Sequence, residues 1–180
     1  MNITAFDKRY CVVIEIERDE HMGAPWKECD GHGIVSEWTF RDKYPHERIL
    51  CSDHSHHRFY DVRASVELAL KDGWCMPAPG ETKKQTAARA VDADFEYLRA
   101  WCNDEWYWVG VVVQVFRDKQ SIGGDSLWGI DSETYAREEG KFIAQYLIDA
   151  DLKQRGAHWR LALAQARKAR ADLMQAICYG

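Results

Sequence analysis

The chain has 180 residues, 46% hydrophobic and 29% charged, with a formal net charge of −5. That suits one globular domain or two very small ones, long enough to bury a core without metal or disulfide staples. The charge argues against a generally basic nucleic-acid protein, no apolar run approaches the ~20 residues of a membrane helix, and Met1–Arg9 lacks the apolar stretch of a secretory leader.

Residues 10–17 predict a strand with Val12, Ile14 and Ile16 on one face. Residues 22–33 predict a loop, punctuated by Gly23, Pro25, Gly31 and Gly33. A second strand is expected over 34–41, with Ile34, Ser36, Trp38 and Phe40 sharing a face. Residues 42–47 read as a turn, 48–51 as a short third strand and 52–58 as a polar connection. Asp61 can cap a helix over about 62–72, which Gly73 would close. After a Pro- and Gly-rich loop, Thr82 and Gln85 form a capping-box signature. The helix they open runs to about Cys102 on an Ala87, Ala88, Val91, Phe95 and Leu98 stripe.

Residues 105–116 give the strongest strand pattern, apolar on both faces, and so are expected to be central and covered on both sides. Gly123-Gly124 marks a hairpin loop before a partner strand over 127–130. Two helices are expected to close the chain. One covers about 133–150 on Tyr135, Phe142, Ile143, Tyr146, Leu147 and Ala150. Gly156 separates it from the other, over about 157–178, with Trp159, Leu163, Ala166, Leu173 and Ile177 at helical spacing. Clustered strands followed by helices predict an α+β fold: a mostly antiparallel sheet of about five strands packed by about four helices, the last two C-terminal. The division expected is a single domain over 1–150 and a basic helix over 151–180, either packed on the body or forming a dimer interface.

Charge is unevenly spread. Residues 1–60 carry 8 basic and 11 acidic side chains, residues 61–150 carry 10 and 16, and residues 151–180 carry 6 and 2. A basic tail thus follows an acidic body, with Arg160 and Arg167 as candidate contacts for an acidic partner. Six cysteines without a CxxC pair read as reduced thiols of a cytoplasmic protein. Two C-x-x-H motifs, Cys29 to His32 and Cys51 to His54, have the residue types and pairing of a tetrahedral zinc site. Zinc is therefore the one cofactor the sequence suggests. Cys29 beside Asp30 and His32 is a poor nucleophile, because an adjacent carboxylate raises a thiol pKa. No nucleotide-binding glycine motif, P-loop, HExxH or GxSxG occurs. Non-enzymatic function is the expectation. Eight tryptophans are many for this length, and Trp106, Trp108 and Trp128 fall on the expected central strand and its partner. They fit an aromatic core layer or a protein-binding surface. Few basic residues interleave with them, which ranks nucleic acid below protein.

The motifs Pro25-Trp26-Lys27-Glu28-Cys29-Asp30-Gly31-His32-Gly33, Tyr60-Asp61 with Lys71-Asp72-Gly73-Trp74, Arg99-Ala100-Trp101-Cys102-Asn103-Asp104-Glu105-Trp106 and Ser126-Leu127-Trp128-Gly129-Ile130 form a distinctive set. On them the chain resembles a family of small uncharacterised proteins of tailed bacteriophages and prophages, over about residues 10–132. The resemblance implies a phage-encoded protein acting in the bacterial cytoplasm, not a mechanism; small phage accessory proteins often bind and inhibit host or anti-phage defence proteins, which by association makes such a partner the expectation. The leading expectation is a protein-binding module. Behind it stand a zinc-stabilised regulatory or nucleic-acid-associated module on Cys29, His32, Cys51 and His54, and an enzyme built on the His-rich loops of residues 21–57, which hold six of the seven histidines.

Overall fold

The structure is a computed structural model that describes residues 2–4 and 9–179, with side chains described over 9–169. The fold is α+β. The chain divides into two compact units, Met1–Glu17 with Val109–Gly180, and Arg18–Trp108.

In the first unit, β1 (Asn2–Thr4), β2 (Tyr10–Arg18), β6 (Val109–Arg117) and β7 (Gln120–Ile130) lie side by side in that order. β1 runs antiparallel to β2, and β6 to β7. The N–H of Asp118 donates to the carbonyl of Arg9, and that of Asp19 to Trp108. These bonds flank β2 and β6 and make them antiparallel too. One face of β6 is core: Val109, Val111, Val113 and Val115 are almost wholly buried. Each such burial contributes about 1.5–3 kcal/mol. On the other face Val112 is half-buried and Gln114 exposed, so the strand is internal but not fully covered on both sides as expected. It also begins at Val109, four residues later than the pattern suggested.

The hairpin turn departs from its predicted place. Asp118 and Lys119 turn the chain at φ 50° and 69°, while Gly123 and Gly124 sit inside β7 opposite Val115 and Gln114. Two successive left-handed residues match the twist of the flanking strands, so the Asp-Lys pair serves where glycines were expected to. A Cβ on Gly124 would lie 2.8 Å from the Val113 carbonyl oxygen, which is a packing reason for glycine there.

The two expected C-terminal helices are one, α4 (Glu133–Tyr179). An interior glycine costs only about 1 kcal/mol relative to alanine, and Gly156 stands in an alanine-rich stretch that favours helix. The buried face also differs. Ala136, Gly140, Ala144 and Ile148 meet the sheet, with Ile143 and Leu147 packed beside them. Tyr135, Phe142 and Tyr146 point outward, and Ala150 is exposed; Phe142 is 69% exposed. Small residues let the helix approach the valines closely. A Cβ on Gly140 would lie 2.8 Å from Ile14 Cγ2 and 2.9 Å from Val111 Cγ2. Among the expected stripe positions, Leu173 and Ile177 lie outside the described side chains.

The second unit holds a three-stranded antiparallel sheet in the order β3 (Ile34–Val35), β5 (His56–Asp61), β4 (Glu47–Asp53). Together the two sheets exceed the five strands expected. The predicted strand over 34–41 ends at Val35, leaving Phe40 73% exposed. Residues 52–58, expected as a connection, are instead the tip of a hairpin and the start of β5. Their polar side chains hid the strand, because only Phe59 and Tyr60 of β5 are buried. One helical turn, α1 (Pro25–Glu28), interrupts the predicted loop.

Two helices behave as their caps dictate. α2 (Val62–Asp72) starts where the Asp61 carboxylate accepts from the Ala64 N–H at 2.9 Å, and it ends at Gly73 with φ 68°. α3 (Lys83–Cys102) opens on the Thr82–Gln85 capping box. Ala87, Val91, Phe95 and Leu98 of α3 pack with Leu50, Tyr60 and Ala69 as the unit's core.

Gly140→Leu tests the close approach of α4. Overpacking against two β-branched side chains is expected to lower stability by about 1–3 kcal/mol, read as a shifted urea midpoint with an unchanged slope.

Candidate functional site

A groove of about 690 Å³ opens in the second unit between β4 and the end of α3. Trp38, Trp101, Trp106 and Tyr107 line it with the cations Arg18 and Arg99. The chain places them simply. Trp101 belongs to the last turn of α3, and Trp106 and Tyr107 to the loop that follows. Trp38 projects from the segment that fails to continue β3. Trp106 is fixed by its indole N–H, which donates to the Tyr97 carbonyl at 3.0 Å. Arg18 lies over the Tyr107 ring at 4.7 Å and 3.8 Å from Asp104. Arg99 is exposed and has no ion-pair partner among the described residues.

Cys51 of β4 and Cys102 at the end of α3 also line this groove, joined as a disulfide. Their Cα atoms are 5.8 Å apart, within the range a disulfide spans. This corrects the reading of Cys51 and Cys102 as reduced thiols. The two lie 51 residues apart in sequence, so no local spacing marked the pair.

Beside the groove, loop 29–33 is tied to α3 by one carboxylate. Asp94 accepts from the His32 ring at 2.6 Å, from the Gly33 N–H at 2.7 Å and from the Tyr60 hydroxyl at 2.7 Å. The contact is to Nδ1, so that nitrogen carries the proton and Nε2 is left as an acceptor in the neutral ring. His32 stacks on Tyr97, which meets Trp106, which meets Trp108 edge-on at 5.1 Å. An oriented imidazole is the geometry of a general base. Among the described residues no hydroxyl or thiol is hydrogen-bonded to its Nε2.

The predicted site residues scatter. Cys29 is exposed, His32 is bound to Asp94, and Cys51 is bonded to Cys102. His54 sits at the hairpin tip, its side chain 93% exposed and 2.7 Å from Asp53. The zinc arrangement of Cys29, His32, Cys51 and His54 is not assembled. Among the described residues no group of three or more His, Cys, Asp or Glu is placed to hold a metal ion. Trp108 is buried, with its N–H donating to the Gly23 carbonyl at 2.9 Å, so it belongs to the core rather than an open surface. Trp128 lies in the other unit, its ring packed against Gly110 and partly exposed. Arg160 and Arg167 are exposed on α4.

Sequence reasoning missed Asp94 and Arg18, and met Tyr60 and Arg99 only as members of the motif set, without a site role. Asp94 left a trace: it falls between Val91 and Leu98 at helical spacing, a carboxylate inside an apolar stripe. A scan against protein-family models, a search of curated proteins and a search of solved structures each return no match.

Two predictions follow from these bonds. Non-reducing digestion is expected to yield a linked Cys51–Cys102 peptide, and Cys102→Ser to lower the denaturation midpoint. Loop closure over a separation of 51 residues sets the loss at up to about 4 kcal/mol. The second concerns Tyr60. Burial, and then the hydrogen bond to Asp94, push its hydroxyl far above the ordinary 10.0. The unfolded tyrosine ionises near pH 10 while the folded one stays protonated. This contribution is whole below pH 10 and is lost as pH rises above it. Tyr60→Phe is expected to flatten the decline in urea midpoint measured over about pH 9–11.

Proposed function

We propose that the protein is a recognition module that binds another protein through the Trp–Arg groove of Arg18–Trp108 and performs no chemistry of its own. The single supporting observation is the make-up of that groove. Trp, Tyr and Arg are the residues that dominate interface energies, and here they gather around one concave surface. Trp38 and Tyr107 are open to solvent, and Arg99 offers an exposed guanidinium with no ion-pair partner among the described residues. The disulfide and the indole bond of Trp106 hold the walls, so few side chains need ordering when a partner arrives.

The resemblance to tailed-phage proteins supplies the setting we propose: a phage accessory protein that binds a host or anti-phage defence protein in the bacterial cytoplasm. The bond between Cys51 and Cys102 sets a condition on that setting, because cytoplasmic reductants usually keep such thiols open. The acidic net charge places nucleic acid behind protein as the partner.

Affinity capture from bacterial lysate with the full chain tests the reading. Trp38→Ala and Arg99→Ala are each expected to weaken capture of the partner by about 2 kcal/mol, while Phe40→Ala in the same unit leaves it unchanged. Absence of a stable partner, or equal capture by both groove variants, overturns it.

A further inference from the structure

α4 leaves its sheet at Asp151, whose carboxylate receives Arg117 at 2.8 Å and the Tyr10 hydroxyl at 2.7 Å. From Leu152 to Ala169 every residue but Gly156 is exposed. This length is not uniformly polar. Leu152, Gly156, Trp159, Leu163 and Ala166 follow one another at alternating steps of four and three. That is the period of a coiled-coil seam, with Leu152, Trp159 and Ala166 at d positions and Gly156 and Leu163 at a. Trp159 is 71% exposed. Lys153, Arg160 and Arg167 recur every seven residues, each one place after a d residue, so all three occupy e. The g positions are Arg155, Ala162 and Ala169, and no carboxylate occurs from Leu152 to Ala169.

This charge pattern decides between occupants. In an antiparallel pair of identical helices, e faces e, setting Lys153, Arg160 and Arg167 against cations. In a parallel pair, e faces g, setting Arg160 against Arg155. Either way a second copy brings like charges together and gains no ion pair, and like charges at these positions select against pairing. A helix with carboxylates beside its own seam meets the opposite sign at each e position. Gly156 and Ala166 leave room for large apolar side chains from such a partner, while Trp159 anchors the centre.

We propose that residues 152–169 of α4 form one strand of a heterotypic coiled coil whose other strand is an acidic amphipathic helix of a partner protein. This surface shares no residue with the groove, and the proposal does not rest on it.

The probe is a synthetic peptide of about four heptads with Leu at a and d and Glu at e and g; its control carries Lys at e and g. Both are titrated calorimetrically into the full-length protein. The Glu peptide is expected to bind about 100-fold more tightly than the Lys peptide. Trp159→Ala is expected to weaken it about tenfold. Combined Lys153→Glu, Arg160→Glu and Arg167→Glu is expected to reverse the preference, with the helical circular dichroism unchanged. Trp38→Ala in the groove is expected to leave the titration as it was, which separates failure here from failure of the groove. Equal binding of the two peptides, or a preference that survives the triple charge reversal, overturns the proposal. So does a tail-dependent homodimer seen by sedimentation, or tighter binding of the tail to anionic phospholipid vesicles or duplex RNA than to the Glu peptide.

Discussion

A helix can bury a face only where something lies beneath it, and α4 outlasts its sheet. Its 47 residues extend about 70 Å at 1.5 Å per residue, whereas the nine-residue strands β2 and β6 span about 30 Å. The stretch from Glu133 to Asp151 is about 28 Å long, close to the length of a strand. The last anchor is ionic. Burial works to raise the Asp151 pKa, but hydrogen bonds from Tyr10 and Arg117 more than offset it and hold the carboxyl below its ordinary 3.8. The whole later character of α4 follows from that limit. Before Asp151 the helix needs small residues on its sheet side. Beyond it, the same chain carries Leu, Trp and Leu in the open.

The second unit solves a different problem, holding an irregular loop in place. Loop 29–33 is held from a neighbouring helix: Asp94 accepts from His32 and Gly33 of the loop and, as its third contact, from Tyr60 of β5. Such a carboxylate is costly to bury unless its oxygens are satisfied, and here they are. The aromatic ladder from His32 through Tyr97 and Trp106 to Trp108 carries that order to the groove wall. Tryptophans therefore divide by role. Trp108 fills the interior, Trp106 buttresses, and the half-exposed Trp38 sits between the Ser36–Phe59 hydrogen bond and the isolated Thr39–His57 bridge, where the chain forms no continuous ladder.

What was legible in the sequence follows from how local its cause was. The Asp61 cap, the Gly73 stop and the Thr82–Gln85 box act within one turn of helix, and α2 and α3 stand where those residues put them. The alternation of Val12, Ile14 and Ile16 likewise marked β2. β5 escaped because its outward half, His56-His57-Arg58, looks like a loop until its partner β4 is known. The α4 stripe was misread because size was taken as a sign of burial. A close helix–sheet contact selects glycine and alanine and turns tyrosine and phenylalanine outward. Little of the candidate site could be read. The His32–Asp94 and Cys51–Cys102 pairs join residues 62 and 51 apart, and no short motif encodes a contact at that range. His32 was singled out from its spacing to Cys29, a neighbour in sequence that does not share its hydrogen bond.

The charge asymmetry gains meaning only with the helix in view. Counted along the chain, a basic tail on an acidic body looks like self-neutralisation. Screening limits that at physiological salt to about 8 Å. Arg160 stands nine positions after Asp151 on α4, about 13 Å along the axis, and Arg167 about 24 Å. Asp151 is therefore more than a screening length along the axis from either, and α4 carries no further carboxylate before Asp172. Cations held in a fixed row by a continuous helix, beside an apolar seam, keep most of their interaction energy available. An acidic surface that matches both the row and the seam would gain from the two together, and a surface that matches only one would not.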